Sequence, residues 1–135
     1  MSKKNTLFFI SFLIGICFSS IPTFAQKNVE FTKENFPNGK DGLKIAKANI
    51  EKGDKYFEQG TVYYKQAIAP YLDAYSFNPN NAQLNYKIGK SYLYSSTKLK
   101  SLPYLEVALK LDPFVDEQIH YVLGKAYQLN MQWDK

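Results

Sequence analysis

The chain has 135 residues and a formal net charge of +5, from 17 lysines against 12 acidic residues. It contains no arginine, the residue that proteins prefer for forked contacts to phosphate groups and base edges. Scattered lysines without arginine are typical of a solvated surface, so the composition argues against a nucleic-acid-binding protein. The length is that of one small domain.

The first 25 residues have the layout of a secretory signal peptide. Lys3 and Lys4 provide the positive start, an apolar stretch runs from Leu7 to Phe18, and small residues end at Ala25. The alternative is an uncleaved membrane anchor, but a spanning helix needs about 20 apolar residues and this stretch is shorter. We therefore expect residues 1–25 to be removed and the protein to be exported.

The next segment, residues 26–41, is predicted to form an irregular lead. It is polar and contains the turn signal Pro37-Asn38-Gly39. From Gly42 onward, apolar residues recur at spacings of three and four, which is typical of helices, and no stretch alternates as a strand would. The chain is therefore predicted to be all-α.

A decapeptide pattern occurs twice in the helical part, as QLNYKIGKSY at residues 83–92 and as QIHYVLGKAY at residues 118–127. The two copies lie 35 residues apart, and a period of about 34 residues with two helices per unit is typical of tetratricopeptide repeats. The chain resembles that family over residues 42–135. The resemblance implies a solenoid of antiparallel helix pairs with about two and a half repeats. The predicted repeats are residues 46–81, residues 82–115 and an incomplete unit at residues 117–135.

The resemblance also implies which residues pack the repeats together. A glycine or alanine allows a neighbouring helix to approach, a tyrosine one turn later fills the space beside it, and a proline ends the unit. The predicted packing residues are Gly53, Tyr56, Ala67, Ala74, Pro79, Gly89, Tyr92, Ala108, Pro113, Gly124 and Tyr127. Pro70 and Pro103 fall inside predicted second helices, where they predict a kink or a late helix start.

The predicted third repeat has a first helix but no second helix before Lys135. Because a repeat buries its apolar face only by stacking on its neighbours, one face of this helix is expected to lack a partner. Either another chain covers that face, or the 135 residues are a fragment of a longer protein.

The sequence offers little for catalysis or metal binding. His120 is the single histidine, and a lone histidine on a helix is more often a surface or packing residue than a catalyst. Asp112 and Asp116 lie on either side of Pro113 and are expected to cap helix ends. There is no glycine-rich phosphate loop. We therefore expect no enzymatic activity, no metal and no cofactor.

The inner face of a tetratricopeptide array is formed mainly by the first helices of its units, and the resemblance implies two stacked rows of glutamine, tyrosine and lysine on that face. The residues of this candidate groove are Gln83, Tyr86 and Lys90, followed by Gln118, Tyr121 and Lys125. Tyrosine offers contact area and a hydrogen bond, and lysine offers a charge for an acidic group on an extended segment. Alternatively, the lysines are solvated and the tyrosines only pack.

A second resemblance concerns the segments NPNNAQLNYKIGKSYL and LPYLEVALKLDP, which, behind an export signal, are similar to the N-terminal repeat region of OmpA-family cell-envelope proteins. In that family, such repeats precede a propeller-like segment and a peptidoglycan-binding domain, which this sequence lacks. The resemblance implies a non-catalytic scaffold of the periplasm or outer membrane that holds a protein or peptide partner. The alternative is a stand-alone secreted or periplasmic protein that binds peptides or glycans.

Overall fold

The computed structural model describes residues 26–131 of the chain. The predicted signal peptide and the last four residues of the predicted third repeat lie outside this range. Within it, all regular structure is helical and no residue is in a strand, which confirms the all-α prediction. None of the described helices is long and apolar enough to cross a membrane.

Between residues 26 and 131, five α-helices follow one another with short connections: α1 (Lys40–Phe57), α2 (Tyr64–Phe77), α3 (Ala82–Leu93), α4 (Ser101–Leu111) and α5 (Ile119–Met131). Two short 3-10 helices lead into the second and fourth of them, η1 (Thr61–Tyr63) and η2 (Lys98–Lys100). The first helix begins two residues before the predicted boundary at Gly42. Pro103 lies in the first turn of α4, where a missing N–H costs little, so this helix starts late as expected. Pro70 lies inside α2.

Each helix packs on the next one along the chain, and α3 also contacts both α1 and α5. The first pair is antiparallel. Phe57 at the end of α1 stacks on Tyr64 at the start of α2, with ring centroids 4.5 Å apart. At the opposite end, Gly42 of α1 lies against the ring of Phe77 of α2. Two hydrophobic clusters result, one shared by α1, α2 and α3 and the other by α3, α4 and α5.

Most of the predicted packing residues lie at these helix contacts. The alanines Ala67, Ala74 and Ala108 are fully buried. A Cβ atom added to Gly53 would lie 2.4 Å from the ring of Tyr71, and one added to Gly89 would lie 2.6 Å from Leu105 Cγ. Tyr92 is buried and Tyr56 is half-buried. Pro79 and Pro113 are exposed just after the ends of α2 and α4.

Two predicted packing residues require a correction. A Cβ atom added to Gly124 would meet nothing within 4 Å, and Tyr127 is 41% exposed. The physical reason is that no helix among the described residues covers this side of α5. Gly124 and Tyr127 therefore do not form a packing seam within residues 26–131.

The polar lead is irregular up to Gly39, but it is attached to the turn between α2 and α3, which the sequence did not indicate. The side-chain amides of Asn78 and Asn81 both donate to the carbonyl oxygen of Val29, at 2.8 and 3.1 Å. The N–H of Val29 donates to the carbonyl oxygen of Asn80 at 2.7 Å. Phe31 is buried in the first hydrophobic cluster. The lead therefore covers one end of the α1–α2 pair.

Candidate partner-binding surface

Lysine and aromatic side chains from four helices meet on one surface, formed by the end of α1, the start of α2, α3 and α5. We call this surface the lysine–aromatic strip; its residues are Phe57, Tyr64, Lys90, Tyr94, Tyr121 and Lys125. Phe57 stacks on Tyr64, and the edge of Tyr64 meets the ring of Tyr94 with centroids 6.0 Å apart. The rings of the first helix pair are therefore connected to those near the end of α3.

Lys125 occupies the part of the strip that is most accessible. Its Nζ lies 5.1 Å from the ring centroid of Tyr94 and 5.0 Å from that of Tyr121. A lysine ammonium over an aromatic face is attracted by the negative charge of that face. Hydrogen bonding to Tyr121, and then to Tyr94, raises the pKa of Lys125 above its usual range. Lys125 therefore presents a positive charge between two exposed tyrosines.

Lys90 is held more firmly by the protein itself. Its Nζ donates to Gln118 Oε1 at 2.9 Å and to the hydroxyl of Tyr86 at 3.1 Å. It also lies 5.8 Å from the ring centroid of Phe57. Because an ammonium group has three donors, these contacts leave Lys90 with little capacity for a ligand. Its main effect is to connect α3 to the segment before α5.

The prediction that Tyr86 lines an open groove is wrong. Tyr86 is 1% exposed, and its hydroxyl donates to Asp116 Oδ1 at 2.6 Å. Burial, followed by the hydrogen bond to Asp116, raises the pKa of Tyr86 far above the usual tyrosine value. The same Asp116 oxygen accepts the backbone N–H of Gln118 at 2.9 Å, just before α5 begins. The loop between α4 and α5 covers the ring of Tyr86. The spacing of residues within α3 does not indicate that a distant loop lies over this ring.

The other predicted groove residues are placed differently from one another. Tyr121 is 61% exposed and lies beside Lys125 in the strip. Gln118 is exposed but is joined to Lys90. Gln83 is exposed near the start of α3. The structure thus brings Lys90, Gln118, Tyr121 and Lys125 to one side of the molecule. Tyr86 is not part of this surface, whose other aromatic residues are Phe57, Tyr64 and Tyr94.

Sequence reasoning missed Tyr64 and Tyr94 as members of the strip. They lie 30 residues apart and belong to different predicted repeats. Each lies at a helix boundary, Tyr64 as the first residue of α2 and Tyr94 as the C-cap of α3. A tyrosine at a helix end is a weak signal by itself. Only the packing of α2 on α3 brings the two rings together.

A polar cluster beneath the first helix pair joins α1, α2 and α3. Asp54 Oδ1 accepts the hydroxyl of Tyr71 at 2.6 Å and the ammonium of Lys87 at 2.7 Å. Burial, and then the hydrogen bond to Asp54, raises the pKa of Tyr71 well beyond its ordinary value. Because Tyr71 and Lys87 both bond to Asp54 and connect three helices, we interpret this cluster as structural.

Two cavities lie near the end of α5, and the smaller one adjoins the strip. One has a volume of about 290 Å³ and is lined by Leu93, Tyr94, Lys98, Lys125, Gln128 and Leu129. The other has a volume of about 560 Å³ and is lined by Ser96, Thr97, Lys98, Leu99, Lys100 and Leu129. None of these lining residues carries a carboxylate. Among residues 26–131, no group of three or more histidine, cysteine, aspartate and glutamate residues is placed to hold a metal ion.

Comparisons of the chain with models of protein families, with curated proteins and with solved structures find no match. The functional proposal therefore depends on the patterns in the sequence, on the geometry of the helices and on the lysine–aromatic strip.

Proposed function

We propose that this chain is an exported, non-catalytic protein-interaction scaffold of the cell envelope, with a tetratricopeptide-type repeat domain over residues 42–135. Three features support the repeat architecture. The decapeptide pattern recurs after 35 residues, α1 and α2 are antiparallel, and α3 contacts both α1 and α5. The resemblance to the repeat region of OmpA-family proteins supports a place in the periplasm or at the outer membrane, as the N-terminal part of a longer protein.

The observation that carries the binding role is the exposed end of the lysine–aromatic strip. Tyr121 is 61% exposed and Tyr94 is 38% exposed, and the ammonium of Lys125 lies between their rings. Exposed tyrosines offer a large, rigid contact area at low entropic cost. A fixed positive charge between them suits an extended peptide that carries an apolar or aromatic side chain next to an acidic one.

Fluorescence anisotropy with labelled peptides tests this role on the mature chain, residues 26–135. The probes are a series of peptides that each contain one phenylalanine and an increasing number of aspartates. We expect affinity to rise with the number of aspartates and to fall about tenfold, or about 1.4 kcal/mol, in Lys125→Glu. Lys52→Glu is the matched control, because Lys52 is an exposed lysine of α1 outside the strip. Equal affinity in both variants, or no binding by any peptide, would contradict the proposal.

A glycan ligand is the alternative, since exposed tyrosine rings also stack on sugars. In that case, oligosaccharides rather than acidic peptides would bind, Tyr121→Ala would abolish binding, and Lys125→Glu would have little effect. Export is tested separately by N-terminal sequencing of the protein from an envelope fraction. The expected first residue is Gln26, and a protein that still begins at Met1 would contradict cleavage after Ala25.

A further inference from the structure

Two junctions between successive helix pairs can be compared. In the first junction, the end of α3 meets the start of α2, and in the second, α5 meets η2 just before α4. At the first junction, the edge of Tyr64 meets the ring of Tyr94 with ring centroids 6.0 Å apart, and Tyr64 is 7% exposed. Aromatic rings therefore fill the first junction.

Helices α2 and α4 are in register at a spacing of 34 residues. Both have a small residue, a bulky residue four positions later and an alanine three positions after that, and all of these residues are 0% exposed. The residues of this pattern are Ala67, Tyr71 and Ala74 in α2, and Ser101, Leu105 and Ala108 in α4. Tyr64 stands three residues before the first copy, and Lys98 stands three residues before the second. Lys98 is therefore the counterpart of Tyr64.

Leu129 is the counterpart of Tyr94 by the same reasoning. The decapeptide pattern places α3 and α5 in register at a spacing of 35 residues, and Leu129 follows Tyr94 by 35 residues. The second junction thus has a lysine and a leucine at the positions where the first has two tyrosines. Since neither of these side chains carries a ring, the ring contact of the first junction is missing from the second.

The two cavities near the end of α5 lie at this second junction. Lys98 and Leu129 are the residues that line both of them, the larger of about 560 Å³ and the smaller of about 290 Å³. Leu99 adds a second apolar side chain to the larger cavity. An apolar cavity of roughly 150 Å³ can hold a benzene molecule. The second junction is therefore large enough to accept an aromatic side chain.

The charges at the cavities favour a ring that is accompanied by carboxylates. Lys98 and Lys100 line the larger cavity, and Lys98 and Lys125 line the smaller one. Among residues 26–131, the ion pair that forms joins Lys87 to another part of the molecule, so Lys98 and Lys100 are not paired with a carboxylate of that part of the chain. Unpaired lysines complement an acidic ligand.

We propose that the larger cavity is an anchor pocket that holds one aromatic side chain of an acidic peptide. The ring of the peptide lies between Lys98 and Leu129, where the first junction has the rings of Tyr64 and Tyr94. Carboxylates next to the ring meet Lys98, and those further along the peptide reach Lys125 through the smaller cavity. This inference rests on the proposed function, since it names the side chain by which the acidic peptide is recognised.

Anisotropy titrations with two labelled peptides test the pocket on the mature chain. One is the most acidic peptide of the phenylalanine and aspartate series, and the other has alanine in place of its phenylalanine. We expect the alanine peptide to bind about tenfold more weakly, because it lacks the ring that fills the pocket. Equal affinity of the two peptides overturns the pocket.

The variant Leu129→Tyr locates the ring. It restores a tyrosine at the position of Tyr94 in the first junction and fills the pocket, so the affinity of the phenylalanine peptide should fall about tenfold, to that of the alanine peptide. The affinity of the alanine peptide should not change. Leu99→Tyr is the second variant, because Leu99 also lines the larger cavity and is 41% exposed, which permits a larger side chain. Circular dichroism and the urea midpoint check the fold of both variants.

Ile45→Tyr is the matched control, since it adds the same ring at a position of α1 that is 63% exposed. It should bind both peptides like the wild type. If Leu129→Tyr and Leu99→Tyr both fold and bind the phenylalanine peptide like the wild type, the ring lies elsewhere and the pocket is overturned. The proposed function would still stand in that case, provided that affinity rises with the number of aspartates and falls in Lys125→Glu. If no peptide binds, both proposals fail.

Trp133, the single tryptophan of the chain, lies outside the described residues and is the competing occupant of the pocket. Trp133→Ala distinguishes it from a peptide ring. Unchanged affinity for the phenylalanine peptide supports the peptide as the occupant. An affinity that rises about tenfold in this variant shows that the chain's own ring fills the pocket, and it overturns the proposal.

Discussion

Helices α3 and α5 carry the same glycine and tyrosine pair in two different environments. On α3, Gly89 is buried under Leu105 and Tyr92 is 7% exposed. On α5, Gly124 is open and Tyr127 is 41% exposed. The presence of the glycine and tyrosine pair on a helix therefore does not by itself mean that the pair is buried. Its contribution to stability depends on whether another helix supplies the side chain that fits over the glycine.

The pKa values of Tyr92 and Tyr127 are raised by different causes. Tyr92 stacks on Tyr104, and burial raises its pKa. Tyr127 instead reaches back to Glu106, and that hydrogen bond is the main cause of its raised pKa. The exposed Tyr127 is thus hydrogen-bonded to a carboxylate of α4, whereas the buried Tyr92 contributes mainly apolar contact. The comparison can be tested at each pair of positions.

The largest difference is expected between Tyr92→Ala and Tyr127→Ala. Removing a buried aromatic ring leaves a cavity and costs about 3–5 kcal/mol of unfolding free energy. Removing Tyr127 costs about 1 kcal/mol or less, since it mainly loses one hydrogen bond at the surface. Urea denaturation of both variants measures the two values. Similar losses at the two positions would mean that the side of α5 that carries Tyr127 is covered in solution.

The glycines are expected to respond with opposite signs. Gly89→Ala should lower the unfolding free energy by about 1–3 kcal/mol, because the new methyl group collides with Leu105. Gly124→Ala should raise it by about 0.5–1 kcal/mol, because it meets no atom and alanine favours the helix. The measurement is again urea denaturation, with helicity followed by circular dichroism. A loss of stability in Gly124→Ala would contradict the comparison.

A further effect is expected at alkaline pH, and it arises in the covered part of the molecule. Burial raises the pKa of Tyr71 and Tyr86 in the folded state, while an unfolded tyrosine ionises at about pH 10. Below that pH both states keep the proton and stability is complete. Above it the unfolded state loses protons first, so stability falls by up to about 1.4 kcal/mol per pH unit and per tyrosine.

The variants Tyr71→Phe and Tyr86→Phe test this origin. Each should reduce the slope of unfolding free energy against pH above pH 10, at some cost in stability at neutral pH, since Asp54 or Asp116 loses a hydrogen-bond donor. Tyr121→Phe is the control, because Tyr121 is exposed and should leave the slope unchanged. A slope that persists in both buried variants would assign the alkaline transition to other groups.

Much of the secondary structure could be predicted from the local spacing of apolar residues, whereas the exposure of individual residues on the surface could not. The spacing of apolar residues predicted helices from Gly42, and α1 begins at Lys40. The same reasoning treated Tyr86 as a free groove residue, although Asp116 and the loop after α4 cover it. The reason is that helical periodicity assigns residues to faces, but whether a face is exposed depends on segments far away in the chain.

The lead and the strip illustrate the same limit. The polar composition of residues 26–41 predicted an irregular segment, and nothing in it indicated that Val29 would be bonded by Asn78 and Asn81 from a distant turn. Likewise, Lys125 was predicted to lie on a binding face from its place in the repeat. Its neighbour Tyr94 became apparent only from the packing of the helices.

By itself, the sequence determined the helical class, the order of the helices and the recurrence of a glycine and tyrosine pair, because these depend on residue spacing and local conformational preference. The tertiary structure decided that the pair is a packing seam on α3 and an exposed surface on α5. The physical reason is that burial is a relation between two surfaces. Leu105 covers Gly89, whereas no side chain among the described residues covers Gly124.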